Sequence, residues 1–258
     1  MASPVVSITE QAWMPSSGNM DNIPILYEDE DEDDMGESNP HVVTDEILHV
    51  CIQAHLAPRL DFQVFANMNL YYRDGPPHPR TGSLPYVSPD IMVVVPYQHL
   101  GDEVSSYTIG TDGPAPLSVT EILSARSAQQ RDLKEKLVVH AKLNVGEYIL
   151  VDPTGKFLPE RLLLKRLQQN GKYKDERDAD GGVTSSLGFR LIFAEDGFLQ
   201  VVDAATGKPY IRPAEAEKRI RHLEAQSAQK IRQLENDLER LRTLLKKKAK
   251  TKKKKKRE

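Results

Sequence analysis

The hydrophobic pattern of the chain changes several times, and each change predicts a different structural element. Asn39 and Pro40 suit the N-cap and the first turn of a helix. Apolar residues then recur at helical spacing, at Val43, Ile47, Val50, Cys51 and Ala54. This spacing predicts a helix over about residues 41–56.

Three stretches with strand character follow this helix. Residues 62–73 are rich in β-forming side chains, and residues 88–96 contain a nearly continuous apolar run that is typical of a central strand. Residues 117–123 alternate between two faces. Because loops rich in Gly and Pro separate the three stretches, we predict that they are strands of an antiparallel meander.

A second helix and a fourth strand complete the predicted core. Residues 129–144 have helical character, Gly146 can end that helix, and residues 146–153 form the strand. A helix between two strands is the crossover expected for parallel neighbours. The pattern therefore predicts an α/β fold with an αβββαβ core and a mixed sheet. Two hairpins follow over about residues 160–175 and 188–209.

From about Pro213 the pattern is that of a polar helix with one apolar stripe. Hydrophobic residues are spaced alternately by three and four positions, at Ile231, Leu234, Leu238, Leu241 and Leu245. Ile220 and Leu223 begin this coiled-coil a/d pattern, but Glu224 and Ser227 interrupt it. The pattern has two interpretations: a short coiled coil that joins copies of the chain into a homo-oligomer, or an amphipathic helix that packs on its own domain.

Charge is distributed unevenly along the chain. The net charge of −3 combines an acidic run at residues 28–34 with a basic run at residues 246–257, where ten of twelve residues are Lys or Arg. We expect residues 1–38 to be a flexible acidic leader and residues 246–258 a disordered basic tail. The tail could attract DNA phosphates without sequence preference, fold back on the acidic run, or remain solvated.

The composition is that of a cytoplasmic protein that does not enter a membrane. Cys51 is the single cysteine, so no disulfide can form within one chain. No apolar run approaches the roughly 18 residues of a membrane span. Residues 1–13 lack the basic and apolar regions of a signal peptide.

Glu121 is the first residue that suggests chemistry, because it shares a strand face with Val119 and Leu123. A carboxylate on a buried face is costly unless it meets a cation, binds a metal ion or changes its pKa. Asp90 lies at the start of the preceding apolar strand. If the two strands are neighbours, the two carboxylates converge on one point, where they could bind Mg²⁺ or Mn²⁺.

A metal-dependent phosphodiesterase also needs a cation near the carboxylates, and the second helix offers two lysines. The strand of Glu121 has no lysine at the next position on the same face. A helical wheel places Leu137 and His140 on the inward face of the helix. Lys136 lies about 60° from the centre of this face and Lys134 about 100°, so Lys136 is better placed to reach Glu121.

Each of these residues alone also has a structural interpretation. Asp90 could belong to a turn, Glu121 could pair with an arginine, and Lys136 could be a solvated helix residue. Together, the three have the order that a metal-dependent nuclease requires. His140 is interpreted as a packed helix residue, and the histidines do not cluster with Cys51 as a zinc site would require.

Four motifs in this order resemble the Uma-type restriction endonucleases, a family of the PD-(D/E)XK nuclease superfamily. They are PD at residues 89–90, EILS at 121–124, RDLKEK at 131–136 and NVGEYILVDP at 144–153. In this branch the lysine of the usual E-x-K motif lies on the following helix, which suits Lys136. The resemblance implies a restriction-endonuclease-like αβββαβ core, divalent-metal-dependent cleavage of phosphodiester bonds and a mainly bacterial distribution.

The resemblance covers about residues 40–210. It also implies a fourth active-site acid from the region of the first helix, for which Glu37 and Glu46 are both candidates. His41 is a further candidate at the periphery of the site.

These observations predict a PD-(D/E)XK endonuclease-like domain over residues 39–212 and a helix or short coiled coil over residues 213–245. The predicted activity is Mg²⁺- or Mn²⁺-dependent hydrolysis of phosphodiester bonds in DNA. Asp90 and Glu121 are the predicted metal ligands, and Lys136 is the third predicted catalytic residue. The alternative is a catalytically silent nuclease fold that binds nucleic acid or assembles with other chains.

Overall fold

The computed structural model describes residues 39–73, 75, 82–101, 103–124 and 131–255. The predicted acidic leader, with the candidate Glu37, therefore lies outside the described residues. The chain divides into two compact units, the first ending at Tyr210 and the second beginning at Ile211.

The first unit contains two α-helices, one π-helical segment and twelve strands among its described residues. Helix α1 spans Asn39–Leu56, and α2 spans Leu137–Lys142. The first six strands are β1 (Gln63–Ala66), β2 (Asn69–Tyr71), β3 (Tyr86–Val87), β4 (Ile91–Val94), β5 (Ser106–Thr108) and β6 (Ser118–Ile122). The remaining strands are β7 (Glu147–Val151), β8 (Leu162–Leu167), β9 (Tyr173–Glu176), β10 (Val183–Thr184), β11 (Phe189–Phe193) and β12 (Leu199–Asp203).

A six-stranded mixed sheet with the order β1-β4-β6-β7-β8-β9 forms the centre of this unit. Strands β6 and β7 are parallel, and the other neighbours are antiparallel. The parallel pair is the one joined through α2, as a helical crossover requires. The predicted α/β fold class with an αβββαβ core and a mixed sheet is confirmed.

The stretch predicted as one strand over residues 62–73 is two strands that belong to different sheets. The chain breaks at Asn67, whose φ of 51° is a left-handed conformation that asparagine adopts more readily than most residues. Strand β1 stays in the central sheet, whereas β2 forms a small sheet with the order β3-β2-β5. Residue alternation alone carries no signal for such a change of sheet.

Apolar layers cover both faces of the central sheet. Ile91 and Val93 of β4, with Ile122 of β6, pack in a core that includes α1 and the sheet β10-β11-β12. Met92 and Val119 point to the opposite face, where the core includes α2 and the small sheet. The strict alternation along β4 and β6 means that each strand residue can be assigned to one layer.

The helical segment after β6 begins with a wider turn than the sequence predicts. Its first part, Arg131–Lys136, is a π-helix, and the α-helix α2 continues from it to Lys142. The predicted helix began at about residue 129, and residues 125–130 lie outside the described part of the chain. π-Helical turns are rare and occur frequently at functional sites.

Glu147, at the start of β7, ties the central sheet to the segment that leads into β11. Its side chain is 2% exposed and forms an ion pair with Arg166 of β8. It also accepts hydrogen bonds from Ser185 Oγ at 2.5 Å and from the backbone N–H of Ser186 at 2.6 Å. These bonds offset the cost of burying the carboxylate.

The second unit is the long helix α3, Pro213–Lys255. Its backbone stays helical beyond residue 245, into the segment expected to be a disordered tail, and the lysines of that segment have good helix propensity. No helix in the described part of the chain is both long enough and apolar enough to cross a bilayer.

Candidate active site

The strand register places the two predicted acids opposite each other. Ile91 of β4 pairs with Thr120 of β6. The ladder ends at this pair, and one further step of the same antiparallel register would set Asp90 opposite Glu121. Because directly opposed residues of antiparallel strands point to the same face, this register directs Asp90 and Glu121 to one side of the sheet.

Glu121 is almost completely buried and meets a lysine from the helical segment. Its side chain is 1% exposed, and its Oε2 lies 2.9 Å from Nζ of Lys136. The Lys136 side chain is 22% exposed, and its Nζ also donates to the backbone oxygen of Ser88 at 3.4 Å. The ammonium group therefore bridges β6 and the turn before β4, while keeping access to solvent.

His140 approaches the other oxygen of the same carboxylate. Its ring is fully buried, with Nε2 3.7 Å from Glu121 Oε1, and it packs against the ring of Tyr148 at 5.1 Å between centroids. Burial, together with the nearby charge of Lys136, lowers the pKa of His140 to about 3. At neutral pH the imidazole is thus uncharged, and Lys136 provides the positive charge next to Glu121.

Asp90 is held by two contacts at the entrance to β4. Its Oδ2 accepts a hydrogen bond of 2.5 Å from the backbone N–H of Ile122, the residue after Glu121. Its Oδ1 lies 3.5 Å from Nε2 of His41, in the first turn of α1. The sequence-based candidate His41 is therefore in contact with the site through Asp90.

Helix α1 brings an acid, Asp45, towards Asp90, and Asp45 was not one of the sequence-based candidates. Glu46 is exposed. Asp45 is one helical turn after His41, and its Oδ2 accepts a hydrogen bond of 3.4 Å from Asn67 Nδ2. The backbone N–H of Asn67 in turn donates to the backbone carbonyl oxygen of Asp90 at 2.8 Å. The spacing of four between His41 and Asp45 is a sequence signal that could have identified Asp45.

The two lysines of the π-helical turn differ in environment. Lys134 is exposed, whereas Lys136 is partly buried against Glu121. Leu123, on the same strand face as Glu121, is 1% exposed and packs in the core below the site. The position that carries lysine in the usual E-x-K motif is therefore occupied by a core residue in this chain.

The donor atoms of the site suit a hard divalent cation. Asp90 and Glu121 offer carboxylate oxygens, which Mg²⁺ and Mn²⁺ prefer, and Mg²⁺ commonly binds to one or two carboxylates and keeps several waters. Within the described residues, no group of three or more His, Cys, Asp or Glu side chains is arranged to hold a metal ion. A site with many protein ligands, as structural zinc requires, is therefore not formed by these residues.

The chain matches the sequence model of a known protein family. Residues 34–193, more than half of the chain, match the family described as "Uma2: Putative restriction endonuclease". A solved structure described as a putative nuclease belonging to DUF820, from Anabaena variabilis, is similar at 17% identity and a TM-score of 0.42. The similarity covers 58% of this chain and 73% of that chain. No curated protein sequence matches.

Proposed function

Because the chain belongs to the Uma2 restriction endonuclease family, we propose that it is a divalent-metal-dependent endonuclease that hydrolyses phosphodiester bonds of DNA. In this proposal Asp90 and Glu121 hold Mg²⁺ or Mn²⁺, and Lys136 is the third catalytic residue. The observation that carries the proposal is the 2.9 Å contact between Lys136 Nζ and Glu121 Oε2 beside Asp90. It joins the helical lysine to one carboxylate, and the Ile122 N–H links Asp90 to the same strand, so that two acids and a cation are available for phosphodiester hydrolysis.

The formal charges of the site fit a cation and a phosphate. Asp90 and Glu121 together carry two negative charges and Lys136 carries one positive charge, which leaves an excess of negative charge for a metal ion to balance. A divalent ion bound there supplies Lewis-acid stabilisation of the charge that develops on a phosphate.

Lys136 has two tasks in this proposal. Its ammonium group keeps the Glu121 carboxylate in one orientation through the 2.9 Å contact. Because its side chain keeps 22% exposure, it can also donate a hydrogen bond to a phosphate oxygen or to the attacking water. A fixed positive charge near developing negative charge is a large contribution to catalysis.

One oxygen of the Asp90 carboxylate is positioned by the protein backbone. The hydrogen bond from the Ile122 N–H fixes its Oδ2 at the end of β6, so the two carboxylates are linked through adjacent residues of one strand. Such preorganisation lowers the cost of assembling the site when substrate binds.

The test is a cleavage assay with supercoiled plasmid DNA, run with Mg²⁺, with Mn²⁺, and with EDTA added. We expect nicked or linear product with either metal ion and none with EDTA. The Glu121→Gln variant serves as the control for contaminating nucleases. Binding of DNA without cleavage under either metal ion would instead support the alternative, a catalytically silent nuclease fold that binds nucleic acid.

A further inference from the structure

The apolar stripe of α3 is open to solvent. Its members are between 51% and 66% exposed: Ile231, Leu234, Leu238, Leu241 and Leu245. Five large apolar side chains that are exposed along one face of a helix mark an interaction surface.

We propose that α3 pairs with α3 of a second copy of the chain as a parallel, in-register coiled coil, so that the protein is a homodimer. The spacing of the stripe identifies the partner. A seam with a period of 3.5 residues stays in contact only with another helix that supercoils with the same period. The same chain supplies such a helix without any further component.

The charges beside the stripe favour the parallel arrangement. With Ile231 at position a, Lys230 and Asp237 occupy g positions, and Glu235 and Arg242 occupy e positions. In a parallel dimer each g residue faces the e residue of the next heptad on the other chain. Lys230 then faces Glu235 of the partner subunit, and Asp237 faces Arg242 of the partner subunit, so both pairs are attractive.

The antiparallel register that sets Leu234 against Leu238 of the partner subunit loses this complementarity. If Leu234 packed against Leu238 of the partner subunit, Asp237 would face the partner's Asp237, and Glu235 would face the partner's Glu235. Like charges at these positions oppose pairing. In the first heptad, Ile231 at a and Leu234 at d are also the combination that favours two strands in a parallel coiled coil.

The basic end of α3 gives the parallel dimer an unusual response to salt. The seam continues after Leu245 with lysine at the next core positions, Lys248, Lys252 and Lys255. Parallel pairing brings two copies of the basic run 246–257 together, and their repulsion opposes the dimer. Because salt screens this repulsion, the dimer becomes tighter as salt concentration rises, and removal of residues 246–258 abolishes that increase.

The decisive measurement is the mass of the full-length protein by sedimentation equilibrium. We expect twice the 29.0 kDa of one chain for the wild type and for the control variant Gln233→Lys/Thr243→Lys, which adds two charges away from the stripe. The variant Leu234→Lys/Leu241→Lys adds the same charges to the stripe and should be monomeric. A monomeric wild type, a higher oligomer, a dimeric Leu234→Lys/Leu241→Lys variant or a monomeric control would each overturn the proposal.

The orientation of the helices is tested by a single cysteine. Leu241→Cys places two thiols side by side in a parallel in-register dimer, within reach of a disulfide. The native Cys51 is 1% exposed, so the wild type should not cross-link under mild oxidation. A dimer that stays reduced at residue 241 would contradict the parallel arrangement. Neither experiment depends on nuclease activity, so the dimer and the proposed function can fail separately.

Discussion

Nζ of Lys136 lies 2.9 Å from Oε2 of Glu121, although the lysine comes from a π-helical turn and the carboxylate from a buried strand. The contact spans fifteen residues of sequence, whereas Leu123 occupies the strand position at which the usual E-x-K motif has its lysine. The Glu121 carboxylate therefore connects the π-helical turn to strand β6.

Glu121→Gln should abolish metal-dependent cleavage, because the neutral amide is a poor ligand for a hard divalent ion. The fold should persist, since glutamine has a similar volume and its oxygen can still accept the hydrogen bond from Lys136. Plasmid cleavage and a thermal unfolding curve measure the two properties. The exposed Glu195→Gln is the matched control and should cleave like the wild type. Cleavage retained by Glu121→Gln would show that Glu121 is not required.

Lys136→Ala should reduce the cleavage rate by about a hundredfold or more, because charge stabilisation in a partly buried site is typically worth several kcal/mol. Lys134→Ala should have little effect, since Lys134 is exposed. Both variants remove one positive charge from the same helical turn, so a general loss of DNA attraction would affect them equally. Rates at saturating DNA compare the two, and a larger loss for Lys134→Ala would contradict the assignment.

Asp45→Asn should lower the cleavage rate by about ten- to a hundredfold, the usual effect of residues that orient metal ligands. Asp45 reaches the backbone of Asp90 through Asn67. Its neighbour Glu46 is exposed, and Glu46→Gln should leave the rate unchanged. The dependence of the rate on Mg²⁺ concentration adds a readout, because a loosened ligand shifts it towards higher concentration. Equal cleavage rates and equal Mg²⁺ dependence for Asp45→Asn and Glu46→Gln would show that Asp45 does not contribute to the site.

His140 should make the metal-free protein less stable as the pH falls. The unfolded histidine titrates near its ordinary pKa of about 6.5, whereas burial and the Lys136 charge lower the folded pKa to about 3. Between these values the unfolded chain binds more protons, so the free energy of unfolding decreases with decreasing pH.

The groups that face the imidazole are Glu121 of β6, Lys136 of its own helical segment and Tyr148 of β7. His140→Gln cannot titrate, so its unfolding free energy should depend less steeply on pH over the same window. Urea denaturation in EDTA at a series of pH values measures both proteins. Parallel curves for wild type and variant would show that the ring titrates normally in the folded state.

Deletion of residues 246–258 should weaken DNA binding at low salt and flatten its salt dependence. The basic run carries no aromatic residue for stacking on bases, so its attraction for DNA is electrostatic. Each phosphate that it neutralises contributes a slope of roughly −0.9 to the log–log salt dependence. Fluorescence anisotropy over a salt series measures the slope. Metal-dependent cleavage should remain, because Asp90, Glu121 and Lys136 lie in the other unit.

The sequence predicted the parts of the fold that depend on local pattern. Continuous apolar residues identified β4, and the order of strand, helix and strand identified the parallel pair β6 and β7. The change of sheet at Asn67 was not predictable, because it depends on which neighbours β2 finds and not on its own residues. Likewise, the second layer over α1 is formed by hairpin strands whose pattern does not say against which face they pack.

The candidate site shows the same division. The faces of β6 could be derived from alternation, and they placed Glu121 inward. The approach of Lys136 was expected from an α-helical wheel, whereas the residues that lead to it form a π-helix. The proximity of Asp45 to Asp90 was not predicted, because it depends on Asn67, which connects α1 to a strand break in a way that no local pattern contains.

The placement of the π-helical turn has a consequence for how such sequences can diverge. The irregular turn ends at Lys136, and regular α-helix follows from Leu137 to Lys142. Lys136 and His140, four positions apart, therefore keep one face towards Glu121 whatever the length of the connection before them. Insertions and deletions upstream of Lys136 can be absorbed there, whereas a single-residue insertion between Lys136 and His140 would rotate one of them away. Alignments of related chains should show gaps before Lys136 and a constant spacing between Lys136 and His140.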